Sequence, residues 1–548
     1  MKSLLIGINA KYIHPAMALY QLQANTTYET KILEFTIKEE NYSIIQQIIN
    51  EINTSKYNLI SFSTYLWNIE KVLIIGKFIK QKFPNIKLML GGPEVGYDAK
   101  YFLEKYNFID YIIRLEGENS HHELLLFLDN LLPIDKVSNL SYLLNNTYIE
   151  NKTTLPDLSK IQLATLNIND ITNRIVYLES GRGCPYKCSY CTASLENKVR
   201  FFPLENVINI VKVLIEKKVK TVKFLDRTFN ANMKYMIDIL DFIDKNNICT
   251  TFQFEIVVEK FSIEAINKIK ELKSKFLRFE IGIQSVHDNV NKAVCRSQNM
   301  ELLEKNLILL RDTNKVDLHV DLIAGLPYET KEMFIYSFNK VFNYKVKELQ
   351  LGFLKFLRGT KMMDQIDEHK YIYSKNPPYE IIENKYMSKE DLKEIHEVEN
   401  TLEKYYNSNK FKKVFNYLFN KKLVVNFYNF FYQLNQRIDD SNLASLFKSI
   451  DNFFKDFYNN SYDELHLCLI MDYLDINKTK PKIWWDYDST KLIRNNLNKI
   501  ILKHIPLKVE ELYKYSIVYY DKNLNKIYIA IYKDFKVKTY LIENFKYE

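Results

Sequence analysis

The sequence predicts an α/β chain in three parts. A doubly wound parallel sheet stands at the N-terminus, a second series of about six βα units follows, and a mostly helical C-terminal extension ends in a small β-meander. Three observations carry this. Short apolar runs alternate with helical stretches through the first two-thirds, the order that winds a parallel sheet. Glycine or polar clusters follow those runs, where strands end. All 12 glycines lie at or before Gly359, although average usage is roughly 7%, so the last third turns without glycine. In a chain this sparing, each glycine marks a backbone demand: positive φ or a close approach.

A length of 548 residues exceeds one ordinary domain and implies two or three. The expected division is residues 1–135, a connector at 136–172, a core at 173–375 and an extension at 376–548. In the first part, "SLLIGI" (3–8) and "YNLISFSTY" (57–65) read as buried strands. A helix follows from about Asn68 to Lys82. "IKLMLGG" (86–92) is a strand ending in Gly91-Gly92-Pro93, and "FIDYIIRLEGE" (108–118) one ending at Gly117. "HELLLFLDNLL" (122–132) is a helix. A doubly wound sheet binds ligands beyond the carboxyl ends of its strands, here Asn9–His14, Ser63–Trp67, Gly91–Gly96 and Glu116–Glu118.

The second series opens with the strand "RIVYLES" (174–180) and the helix "LENVINIVKVLIEK" (204–217). Further strands are "TVKFLDRTF" (221–229), "FQFEIVV" (252–258), "FLRFEIGIQS" (276–285), "DLHVDLIAGLP" (317–327) and "ELQLGFLKFL" (348–357). Six units fall short of the eight of a closed TIM barrel. Polar residues gather at the strand ends, from Asp226 to Asn230, at Glu255, from Glu280 to Ser285 and from Asp321 to Glu329. In barrels that rim carries the active site. Beyond Pro377-Pro378, residues 385–475 read as helical, rich in aromatics and Lys. "YSIVYYDKNLNKIYIAIYKDFKVKTYLI" reads as the meander, turning at Asp521–Asn525.

Charge and cysteine usage narrow the function. The net charge of +9 is spread among acids, which is weak support for a nucleic-acid partner. An apolar run of five residues near the start is too short for a signal-peptide core, and no stretch approaches the ~18 apolar residues of a membrane span. A reducing cytoplasm is the expected compartment. Three of six cysteines, Cys184, Cys188 and Cys191, sit in "ESGRGCPYKCSYCTAS" (179–194) with spacing C-x3-C-x2-C. Three thiolates so spaced can face one soft metal centre, zinc or iron–sulfur. Zinc needs a fourth ligand, and Cys249, Cys295, Cys468 and the nine histidines offer none at zinc-ribbon spacing. The pattern favours iron–sulfur over zinc, with Cys249 and Cys295 read as buried apolar thiols.

C-P-Y-K-C-S-Y-C after a first strand resembles the signature of the radical S-adenosylmethionine (SAM) superfamily, with Tyr190 at the aromatic position. The resemblance implies a partial, TIM-like (βα)6 barrel and a [4Fe-4S] cluster on Cys184, Cys188 and Cys191, whose open iron binds SAM. It further implies that Glu280 and Gln284 in the fourth strand, Arg296 in "AVCRSQ", and Gly325 and Glu329 in "LIAGLPYET" form the SAM pocket. The family often has a G-G-E-like turn after the second strand to bind the SAM amine. Here that place reads "FLDRTFN", leaving Asp226 or Asn230 for the contact.

A doubly wound domain before such a barrel resembles the cobalamin (B12)-binding domain of B12-dependent radical SAM proteins, and the C-terminal part resembles the extension of one subgroup. The D-x-H-x-x-G motif that supplies a histidine to cobalt is absent, since the first strand leads into "NAKYIHP". His14, Ser63, Thr64, Gly91 and Gly92 are the candidate cobalamin contacts. The resemblance implies an enzyme that reductively cleaves SAM to a 5′-deoxyadenosyl radical and uses cobalamin to methylate an unactivated position. Its expected partners are a small-molecule or cofactor-like substrate and an electron donor such as flavodoxin or ferredoxin, with no membrane. The competing expectations are oxidative cyclisation of the tetrapyrrole-cyclase kind, tRNA modification, for which no RNA-binding module is seen, and a non-catalytic iron–sulfur or cobalamin carrier.

Overall fold

The computed structural model describes residues 1–164, 171–196, 198–273, 275–485 and 491–545; residues 165–170 of the expected connector lie outside the described residues. Residues 1–337 with 350–389 form one compact unit, and residues 338–349 with 390–548 a second.

The first sheet is built from β1 (Lys2–Asn9), β2 (Glu29–Thr36), β3 (Leu59–Ser63), β4 (Lys87–Gly91), β5 (Tyr111–Ile113), β6 (Leu140–Leu144) and β7 (Thr147–Glu150). Its order is β2-β1-β3-β4-β5-β6-β7. The first five strands run parallel, and β6 and β7 add an antiparallel edge. The runs in β1 and β3 are continuous rather than alternating because helices cover both faces. Leu4, Ile6 and Ile8 meet one apolar cluster, while Leu5 meets another with Ala16 and Leu19. The helix Asn41–Thr54 buries Ile44, Ile45, Ile48, Ile49 and Ile52 at helical spacing. Each such side chain contributes about 1.5–3 kcal/mol on burial.

Several boundaries differ from expectation. β2 and the helix Asn41–Thr54 were not anticipated, because β2 is an edge strand whose pattern, "ETKILEFT", is only partly buried. β5 is three residues long, not eleven, and the next helix begins at Glu118 rather than 122. After Ile113 the chain turns through Leu115 at positive φ, and the carboxylates of Glu116 and Glu118 are taken up by arginines. Gly92 follows β4 at φ +113°, where an added Cβ would run into the Thr64 carbonyl oxygen. Only glycine meets both demands.

The central sheet contains β8 (Ile175–Leu178), followed in sequence by the two-residue pair β9 (Gly181–Arg182) and β10 (Arg200–Phe201) that lies outside it. It continues with β11 (Thr221–Phe224), β12 (Thr251–Ile256), β13 (Leu277–Gln284), β14 (Val316–Ala324) and β15 (Glu348–Phe353). Its order, β15-β14-β13-β12-β11-β8, is strictly sequential, the parallel βα winding of a partial barrel. Strand burial alternates here.

The second unit is mostly helical through Ile476 and closes with the antiparallel strands Ser516–Asp521, Lys526–Lys533 and Lys536–Ile542. The Asp521 carboxylate accepts from the amides of Asn523 (3.0 Å) and Leu524 (2.9 Å), which is why the turn falls there. Among the described residues no helix is long and apolar enough to cross a membrane.

Candidate functional site

The cysteine loop leaves the end of β8 and is collared by the β9–β10 pair. Gly183 sits at φ +87°, where a Cβ would meet the Lys198 carbonyl. The loop is pinned from both sides: the Ser189 amide donates to the Val294 carbonyl at 2.9 Å, and the Met362 amide donates to the Ser189 carbonyl at 2.9 Å. Cys184 Sγ lies 3.5 Å from Thr228 Oγ1, and Arg296 Nη1 donates to Cys188 Sγ at 3.9 Å. Burial raises the Cys191 thiol pKa, and the neighbouring Cys188 and Cys184 add to the rise. Among the described residues no three His, Cys, Asp or Glu side chains form a site for a single metal ion. Cys249 and Cys295 are exposed, contrary to the expectation of buried thiols. Cys249 lies in the turn after the helix Met233–Asn246, and Cys295 in a positive-φ turn beside Arg296.

The residues assigned to the SAM pocket fall into two groups. Tyr190 and Arg296 lie beside Cys188, and Gln284 and Arg296 both lie over Gly282. Burial holds the Tyr190 hydroxyl pKa well above the usual phenol range, and the neighbouring Cys188 and Cys191 add to the rise. Arg296 is also held by the Gly282 carbonyl and by Gln298 Oε1 at 2.9 Å. Gly282 has no side chain to crowd Gln284 and Arg296, and Gln284 Oε1 is buried with no partner. At the end of β14, Gly325 at φ +88° packs where a Cβ would strike Ile381. Beyond it, Glu329 is fully buried, accepts from the Ser285 hydroxyl at 2.6 Å, and keeps Oε2 unpartnered. Burial raises its pKa to about 8.

The other three assigned residues are engaged within the protein. Glu280 pairs with Lys223 Nζ at 2.8 Å and accepts from Gln253. Asp226 accepts from the Ser180 amide (2.9 Å) and hydroxyl (2.5 Å), and burial raises its pKa to about 7. Asn230 uses both ends of its amide on the backbone of Val257, at 2.8 and 2.9 Å.

A cavity of about 920 Å³ opens between the carboxyl ends of the two parallel sheets. All four stretches placed beyond the first sheet's strands contribute to it, through residues such as Asn9, Trp67, Gly91 and Glu118. From the central sheet come Tyr177, Lys223 and Glu255, from the loop after β11 Arg227, and from the flanks of the cysteine loop Gly183, Thr192 and Ala193. His14, Ser63, Gly91 and Gly92 line it. Thr64 does not; it is buried and donates both its amide (2.7 Å) and its hydroxyl (2.8 Å) to the Gly91 carbonyl. His14 Nδ1 lies 2.6 Å from the Tyr177 hydroxyl. Burial lowers the His14 pKa, and Lys11, Lys223 and Arg174 lower it further, so the ring is neutral near pH 7.

One feature of the cavity wall joins residues far apart in the chain. Arg182 pairs with Glu116 (2.6 Å), Glu118 (2.5 Å) and Glu179 (2.8 Å), and Arg200 with Glu116 and Glu196. Burial works against the Arg182 charge, but Glu179, Glu118 and Glu116 outweigh it and raise its pKa. Arginine two residues before a cysteine carries no local signal of Glu116 and Glu118, which lie more than 60 residues away.

Comparison with known proteins accords with this arrangement. Residues 178–341 match the model of the Radical SAM superfamily, residues 4–125 that of the B12 binding domain, and residues 367–546 that of a protein of unknown function (DUF4080). An "uncharacterized methyltransferase" of Pyrococcus horikoshii is 23% identical over 321 residues, 56% of this chain and 68% of the relative. The cobalamin-dependent radical SAM methyltransferase TokK of Streptomyces tokunonensis is 23% identical over 298 residues, 50% of this chain but only 44% of TokK. Two solved structures share the fold at 14% identity. The cobalamin-dependent S-adenosylmethionine radical enzyme OxsB, with aqua-cobalamin and S-adenosylmethionine bound, has a TM-score of 0.62 over 92% of this chain and 79% of its own. The radical S-adenosylmethionine methyltransferase TsrM of Kitasatospora setae has a TM-score of 0.57 over 67% of this chain and 76% of its own.

Proposed function

We propose, from the premise that this chain is a radical SAM protein with an N-terminal B12-binding domain, that it is a cobalamin-dependent radical SAM enzyme transferring a methyl group to an unactivated position of a small molecule. The observation that carries this reading is the cavity, whose wall runs unbroken in composition from His14, Gly91 and Gly92 to Gly183, Thr192 and Ala193 beside the cysteines. In this reading residues 1–135 hold cobalamin and residues 173–375 hold the cluster and SAM.

The residues fit these groups. Three soft thiols in a pinned loop suit iron–sulfur ligation. Small residues at the strand ends leave room for a large cofactor. The unpartnered Gln284 Oε1 and Glu329 Oε2 suit a ligand carrying hydrogen-bonding groups, since buried polar atoms are rarely left unpaired. When bound, the [4Fe-4S] cluster and SAM supply reductive SAM cleavage, and cobalamin supplies a methyl carrier. Cys184, Cys188 and Cys191 would hold the cluster. Arg296, beside Cys188, offsets thiolate charge and orients the loop through the Gly282 carbonyl. Glu329, with its pKa at about 8, carries a proton at neutral pH and can donate it to an acceptor from Oε2. His14, neutral and held by Tyr177, presents a ring to the cavity without adding charge. The electron would come from a small low-potential protein of the flavodoxin or ferredoxin kind.

The test is anaerobic reconstitution with iron and sulfide, followed by SAM and a strong reductant, with 5′-deoxyadenosine quantified by chromatography. The wild-type chain should form it, and Cys188→Ala should lower the rate on the order of 100-fold or more. Zinc in place of iron, with no SAM binding, would contradict the proposal.

A further inference from the structure

The cavity wall carries an ion cluster that joins the two cofactor regions. Glu116 and Glu118 belong to the turn after β5 and the first residue of the next helix. Arg182 and Glu179 belong to the segment leading into the cysteine loop, and Arg182 stands two residues before Cys184. Its side chain is only 11% exposed, and those of Glu116 and Glu118 are 8% and 5% exposed. Every one of these four residues lines the cavity. Glu118 spends one carboxylate oxygen on Arg182 and leaves Oε2 buried with no partner, on a residue that lines the cavity.

The connection from Arg182 to the first cysteine is stiff. β9 pairs with β10, and Gly183 is confined at φ +87° against the Lys198 carbonyl. The Cys184 amide then donates to the Glu196 carbonyl at 3.4 Å. A shift of Arg182 is therefore passed to Cys184 through a single residue, Gly183, that has little freedom to absorb it. Buried ion pairs depend steeply on geometry, because a charge that loses its partner is left desolvated. A ligand that satisfies Glu118 fixes the carboxylates around Arg182, and a filled cysteine loop fixes Arg182 against the carboxylates.

We infer that Arg182 is a positioning residue that couples cobalamin binding in the cavity to occupation of the cysteine loop, each favouring the other. The inference rests on the cobalamin reading above. Coupling of this kind is reciprocal and usually amounts to about 5- to 150-fold in affinity.

The experiment uses the full chain and hydroxocobalamin as the probe. Its dissociation constant is measured anaerobically by absorbance, with the cluster reconstituted and after the iron has been removed by chelation. The same pair of measurements is made on Arg182→Lys and on the near-isosteric Glu118→Gln, whose folding is checked by circular dichroism and iron content. The wild type should bind cobalamin about tenfold more tightly with the cluster than without. Both variants should bring that ratio close to one, Glu118→Gln while retaining wild-type iron. Equal constants in the two wild-type states would overturn the coupling, and a ratio unchanged in both variants would overturn the role of Arg182. No cobalamin binding in any state would instead sink the reading on which the inference rests.

Discussion

The two parallel sheets of the first unit bury their strands in different ways. In the N-terminal sheet β3 is buried at all five positions and β1 at seven of eight, because helices cover both faces. In the central sheet β13 alternates strictly, with Leu277, Phe279, Ile281 and Ile283 buried and Arg278, Glu280, Gly282 and Gln284 on the other face. The register carries that polar face across neighbouring strands: Lys223 beside Tyr177 and Gln253, Glu280 beside Glu255 and His319. A sheet filled on both faces can offer chemistry only at its strand ends, whereas a sheet covered on one face can offer the other face as well. The cavity lies where these two kinds of surface meet.

The comparison breaks most visibly in the filled sheet. Ile60 lies in the middle of β3, fully buried. Ile60→Ala should cost about 2–5 kcal/mol, read as a lower denaturation midpoint, with SAM cleavage by the folded fraction unchanged. Loss of cleavage without loss of stability would mean that the filled sheet contributes more than a scaffold.

A smaller effect is expected at the end of the polar sheet. Glu329 has its pKa raised to about 8 by burial, from an ordinary 4.5. The folded chain thus holds a proton here that the unfolded chain releases near pH 4.5. The site imposes no penalty below pH 4.5. As pH rises from there through about 8, stability is progressively lost. Glu329→Gln removes this titration. Between pH 5 and pH 9 the wild type should lose roughly 3–4 kcal/mol relative to the variant, measured by denaturant unfolding at each pH. Parallel pH profiles would show that Glu329 titrates normally.

The same contrast governs what could be read from the sequence. Continuous apolar runs such as "LISFS" and alternating ones such as "LRFEIGIQ" declare their strands, and glycine clusters declare the strand ends that line the cavity. The cysteine spacing and the Asp521–Asn525 turn are local patterns and are equally legible. Long-range pairing is not. Nothing near Asp226 or Asn230 reveals that Ser180 and the Val257 backbone occupy their polar atoms. Nothing near Arg182 names Glu116 and Glu118. Edge strand β2 is not legible because its half-exposed residues form neither a continuous nor a cleanly alternating pattern. The exposure of Cys249 and Cys295 follows from the turns that hold them, which composition alone does not specify.

The central claim is that one cavity, shared by the ends of both sheets, houses cobalamin. Gly91 lines it and tolerates a Cβ, whose nearest neighbours would be the Ile113 carbonyl oxygen at 3.7 Å and Met89 Sδ at 3.8 Å. The most direct measurement is therefore hydroxocobalamin retention by the wild-type chain and by Gly91→Trp after anaerobic gel filtration. Near-stoichiometric retention by the wild type, and affinity at least about tenfold weaker in a variant that still melts cooperatively, is the predicted result. A wild type that retains none, or a tryptophan variant that binds as tightly, would contradict it.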